Sequence, residues 1–145
     1  MTGVPPSEAV LPDEILARFV FLDGWIRADG TVKQNAFIPR PSPHLDLSVV
    51  RHTGLESSEL WKIGEDIVNS RAPSPQPIML RGRADVRAGA VLAISDPKSL
   101  RLCPTPPPPI NHVDILGWPE EKSAQKIIAA QIAAVSKYIS KPPQQ

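Results

Sequence analysis

The stretch Ile110-Asn-His-Val-Asp-Ile-Leu-Gly-Trp-Pro-Glu-Glu-Lys122, with the alanine-rich tract that follows it to Ser140, decides how the chain is read. Its first half alternates. An extended Ile110–Leu116 turns Asn111, Val113 and Ile115 to one side, and His112 and Asp114 to the other. Beyond Gly117-Trp118-Pro119, the residues Ala124, Ile127, Ile128, Ile132, Val135 and Ile139 recur along one stripe of a helix. The spacing therefore predicts a long C-terminal helix that opens at Pro119 and runs to Lys141, stopped by Pro142-Pro143. Glu120 and Glu121 at its start, and Lys137 and Lys141 at its end, suit the helix dipole. Trp118 falls at the cap position, where an indole has no acceptor to offer, so it is expected to pack as an anchor.

Working outward, Leu45, Leu47 and Val49 alternate with Asp46, Ser48 and Val50 in a half-buried strand that runs into Arg51-His52. Between Ile78 and Arg87, Leu80, Gly82, Ala84 and Val86 take one face, and Arg81, Arg83, Asp85 and Arg87 the other. Ala90–Ile94 and Leu100–Cys103 read as two further short strands, separated by a Ser95-Asp96-Pro97 turn. Pro12-Asp13-Glu14 opens a first short helix with Ile15, Leu16, Phe19 and Val20 on its inner side and Gly24 as its stop. A second begins at Ser57 or Ser58, with Leu60, Ile63, Ile67 and Val68 inward and Gly64 offering room for a neighbour. Asp29-Gly30 signals a hairpin with an exposed tip. Proline clusters at 39–43, 73–77 and 104–109 read as rigid connectors. The expected fold is α+β. It has a mainly antiparallel sheet of four to five short strands, with the long C-terminal helix and two shorter helices packed on it. Residues 1–10 are expected as a flexible leader, 11–141 as one globular domain and 142–145 as a tail.

Composition narrows the function. With 145 residues, 41% of them hydrophobic, the chain suits one domain that buries roughly two-thirds of its unfolded surface. No apolar run reaches the roughly twenty residues of a membrane helix, and the first residues lack a signal-peptide pattern. Cys103 is the only cysteine, which excludes an internal disulfide and fits a reducing cytosol; beside Pro104 it reads as a buried, inert thiol. Dinucleotide, Walker, nucleophile-elbow and EF-hand motifs are missing, so no cofactor is expected. His44, His52 and His112 show no ligand spacing, so no metal is expected either. Charge is uneven: residues 1–30 carry a net of −3, and residues 71–101 a net of +4.

Arg81, Arg83 and Arg87 on one strand face, extended by Arg101, have the forked geometry that holds phosphates or carboxylates. The same alternation also arises where a sheet leaves one face in water. Arg51, Asn111, Trp118 and Lys122 complete the candidate binding set; Lys122 would sit near free N–H groups of the last helix. The first reading is a non-catalytic cytosolic binding or accessory protein that presents this arginine face to an anionic or protein partner. The expected partner is another protein, with nucleic acid or a phosphorylated ligand as alternatives. The second reading is a small enzyme with ribonuclease-like acid–base chemistry on a phosphorylated or nucleotide substrate. There His112 acts as acid or base, Asp114 orients it, His52 is the second imidazole, and the arginines hold the anion.

Overall fold

The computed structural model describes residues 3–71, 78–94 and 99–143. The 73–77 proline connector and the Ser95-Asp96-Pro97 turn lie outside the described residues.

The fold is α+β. Among the described residues six strands make one antiparallel sheet: β1 (Ile15–Val20), β2 (Leu47–Arg51), β3 (Gly82–Arg87), β4 (Arg101–Pro104), β5 (His112–Leu116) and β6 (Lys137–Ser140). Their order across the sheet is β4-β5-β2-β1-β3-β6, so the first strand lies at the centre and the last at an edge. Helix α1 (Ser57–Ser70) covers one face, where Leu60 and Val68 meet Ala17, Phe19 and Val50. Helix α3 (Lys122–Val135) covers the other, where Ile128, Ala129 and Ile132 meet Leu16, Val49, Val86, Val113 and Ile115. The short α2 (Ala88–Leu92) and a 3-10 turn at Gln34–Phe37 pack on the α3 side. The centre of the sheet is therefore a middle layer between two helices.

This layering corrects four expectations. The segment expected as the first short helix is the central strand β1, a strand flanked by helices on both faces. Such a strand reads as a continuous apolar run, and its period of two is erased. Ala90–Ile94, expected as a strand, belongs mostly to α2, since five small apolar residues show no usable periodicity. The C-terminal helix is not longer than α1; both span 14 residues. It begins at Lys122 instead of Pro119 and ends at Val135, where the Ser136 hydroxyl donates to the Ala133 carbonyl and the chain extends into β6. β6 and the true β1 raise the strand count from the expected four or five to six.

Trp118 packs as expected: it is buried, and its Nε1 donates to the Ile115 carbonyl at 2.9 Å. The turn at Asp29-Gly30 is closed by a single bridge between Ile26 and Val32. Gly64 permits close approach, because a Cβ there would lie 2.7 Å from the Phe19 ring. Helix α1 opens with a capping box, in which the Glu59 carboxylate accepts from the Glu56 N–H at 2.9 Å. Among the described residues no helix is long and apolar enough to cross a membrane.

One irregularity matters for the site. β1 and β3 pair over six residues, but β1 and β2 share only two pairs, Leu16 with Arg51 and Ala17 with Val50. A continuing ladder would bring Phe19 opposite Ser48. Instead the Arg18 side chain enters the gap, with Nη1 donating to the Ser48 carbonyl at 3.1 Å and Nε to the Ala36 carbonyl at 2.8 Å.

Candidate functional site

The expected arginine face exists in register but is not an open surface. Arg83 and Asp85 lie under α1, with Arg83 Nε 3.1 Å from both Asp85 oxygens and its guanidinium carbon 4.6 Å from the centre of the Trp61 ring. His52 Nε2 stands 3.0 Å from Asp85 Oδ1, so one carboxylate holds both the arginine and the imidazole. Arg81 is half-buried, with its backbone carbonyl accepting from the Tyr138 hydroxyl at 3.0 Å, while Arg87 and Arg101 are exposed. Arg81, Arg83 and Arg87 are thus separated by burial, Arg83 is neutralised from within, and Arg101 does not extend the face, because β4 is separated from β3 by three strands.

Arg51 is more deeply engaged. Its Nε and Nη2 pair with the two oxygens of Glu14 at 2.8 and 2.7 Å, and the remaining donors reach the carbonyls of Glu8 and Ala9. Burial alone would raise the Glu14 pKa, but hydrogen bonds from Arg51, Thr53 and the Leu11 amide, with the arginine charge, hold it at about 2. Asn111 locks the same region: its Nδ2 donates to the carbonyls of Arg51 and Thr53 at 2.7 and 2.8 Å, and its Oδ1 accepts from the Val4 N–H at 2.8 Å. Both residues are tied into the structure by every group they offer. Lys122, at the exposed start of α3, borders a groove of about 500 Å³ formed with the 38–42 loop.

His112 and Asp114 share a face of β5 as the alternation requires, with Nε2 to Oδ1 at 3.4 Å. The Thr105 hydroxyl contacts the other ring nitrogen, and the Ser48 hydroxyl lies 3.4 Å from Asp114. The sheet register puts His112, Val50, Ala17 and Asp85 in one row, so His112 and Arg83 share a sheet face but are separated by β2 and β1. The structure joins His52 to Arg83 through Asp85. It joins His112 to neither Arg81 nor Arg83.

His112 instead shares a cavity lining with a different pair of cations. A cavity of about 180 Å³ lies where β1 and β2 part, beneath the last turn of α1. Arg18, Arg71, His112, Ser48 and Ser70 supply its polar lining, and Ala17, Phe19, Phe21, Val50 and Ile67 its apolar wall. Arg71 rests 4.8 Å over the Phe21 ring, and Arg18 stands 5.6 Å from that of Trp25. Among the described residues neither arginine has a carboxylate partner. Burial, and then the Arg71 charge, lower the Arg18 pKa; burial, and then Arg40, lower that of Arg71. Arg40 itself is balanced by Asp46 through two hydrogen bonds at 2.7 and 2.8 Å.

The sequence carried a signal for this site. Arg18 is a lone charge inside the apolar run Ile15–Leu22, a position where an ionised group requires a reason. Arg71 closes a helix and is followed by no acid before Asp85.

Two arginines that line one small cavity and have no counter-ion among the described residues can bind an anion. Comparisons of the chain with protein-family models, with curated proteins and with solved structures find no match.

Proposed function

We propose that the chain is a non-catalytic binding protein whose ligand or partner presents an anionic group to the cavity lined by Arg18, Arg71 and His112. The observation that carries this reading is the pair of arginines lining one cavity with no carboxylate to balance them among the described residues. A half-buried guanidinium with a second positive charge acting on it and no counter-ion is costly for a folded chain, and an incoming anion removes the cost. The reading retains an anionic partner and moves its contact from Arg81, Arg83 and Arg87 to the seam between β1 and β2. A titration of the full chain with inorganic phosphate at low ionic strength, followed by amide chemical shifts, tests it. Shifts clustered at Arg18, Ser48 and Arg71, weakened in Arg71→Gln and kept in Arg83→Gln, support it. Shifts scattered over the surface, or none, sink it.

A second reading has one observation in its favour: His112, oriented by Asp114, lines the same cavity as the two arginines. That arrangement suits acid–base chemistry on a bound phosphoryl group. Hydrolysis of phosphate mono- or diesters that disappears in His112→Gln, with anion binding intact, would establish it.

A further inference from the structure

The cavity between β1, β2 and α1 is small, half apolar and carries two unbalanced charges; together these features specify a ligand class. We infer that it takes a small organic phosphomonoester, a dianionic head on a short apolar stem, and not a polyanionic macromolecule. This deepens the anion-binding reading and rests on it.

Size is the first constraint. At about 180 Å³ the space falls below the roughly 300 Å³ at which pockets for drug-sized ligands begin, so a complete nucleotide does not fit within it. Charge is the second. A dianion cancels Arg18 and Arg71 together, whereas a carboxylate or sulfate monoester leaves one of them uncompensated. Arg18 spends Nε and Nη1 on carbonyls, which leaves Nη2 for a ligand oxygen. The opposing field is that of the α1 C-terminus, equivalent to about half a negative charge. It is outweighed by two whole positive ones, and the Ser70 hydroxyl already caps the Ile67 carbonyl at 2.7 Å. Shape is the third. Phe19, Phe21 and Ile67 make an apolar wall beside the guanidiniums, which a bare inorganic ion would leave uncovered. A nucleic acid, by contrast, needs a run of exposed cations. Here Arg83 is buried, and the whole chain balances 16 Lys and Arg against 15 Asp and Glu.

Calorimetric titration of the full chain near neutral pH, where a phosphomonoester with a second pKa of about 6 is mostly dianionic, tests the class. The probes are inorganic phosphate, methyl phosphate, n-propyl phosphate, n-propyl sulfate and a short single-stranded oligonucleotide. Each added methylene is expected to tighten binding by about two- to fourfold as it covers the apolar wall. The propyl sulfate is expected to bind about tenfold more weakly than the propyl phosphate. Arg71→Gln, a change at an exposed residue, should erase the difference between sulfate and phosphate. Phosphate and its esters binding alike, or the sulfate matching the phosphate, would overturn the ligand class while leaving the anion site in place. An oligonucleotide that outcompetes every monoester would also overturn it. Absence of binding by every probe would remove both this inference and the anion site beneath it.

Discussion

Arg51 and Glu14 meet through two parallel hydrogen bonds, Nε to Oε1 at 2.8 Å and Nη2 to Oε2 at 2.7 Å, with their side chains 2% and 7% exposed. The Glu14 pKa of about 2 lies below its ordinary 4.5, so the folded state favours the ionised carboxylate. The stabilisation is complete above pH 4.5 and is lost as the pH falls from there towards 2, for a total of roughly 3 kcal/mol. Arg51→Met is expected to cost about 3–5 kcal/mol at neutral pH, because it leaves a buried carboxylate unpaired. It should also flatten the acid limb of stability. Urea unfolding from pH 7 to pH 3 measures both.

Asn111 adopts a left-handed conformation, φ 64°, while donating to two carbonyls and accepting from one amide. Asn111→Asp keeps the shape and the acceptor but turns a carboxylate towards the Arg51 and Thr53 carbonyls. The expected loss is about 2–4 kcal/mol at neutral pH, read from the urea midpoint.

Gly64→Ala sets two effects against each other. Alanine favours the helix by about 1 kcal/mol, but its Cβ would stand 2.7 Å from the Phe19 ring and 3.0 Å from Leu80. Phe19, a residue of β1, is buried beneath α1 and has little freedom to withdraw. Net destabilisation of about 1–2 kcal/mol is expected by thermal or urea unfolding, where a simple propensity effect would stabilise.

Arg18→Met, set beside Arg51→Met, separates the half-buried Arg18 from the buried Arg51 by role. Arg18 holds carbonyls and no carboxylate, so its replacement should cost about 1–2 kcal/mol, clearly less than Arg51→Met. Phosphate binding should be lost in the folded variant. Equal costs for the two substitutions would show that Arg18 is a structural cation and not a ligand-facing one.

Much of the architecture was legible where periodicity was strong and one-sided. Leu60, Ile63, Ile67 and Val68 mark α1, and the alternation around Leu47–Arg51 and His112–Leu116 marks β2 and β5. β1 is not legible as a strand because helices cover both its sides, so Ile15, Leu16, Phe19 and Val20 mimic a helical stripe. Residues 137–140 continue the stripe of α3 by chance, and only pairing with β3 pulls them into β6. For the site, the His112–Asp114 pair was legible from its two-residue spacing. The cavity was not, because Arg18 and Arg71 are 53 positions apart in the chain. They meet only through the parting of β1 from β2, which no local pattern encodes. The face of Arg81, Arg83 and Arg87 was legible in register, but the cover that α1 lays over Arg83 is a tertiary fact.

The short junction between β1 and β2 divides the sheet into two triplets, β4-β5-β2 and β1-β3-β6. Arg18 belongs to one triplet, and Ser48 and His112, which line the same cavity, to the other. A guest gripped by both would act as a rivet across the line along which the two halves part most readily. The spot where the backbone ladder gives way is thus the spot at which occupancy would stiffen the whole molecule.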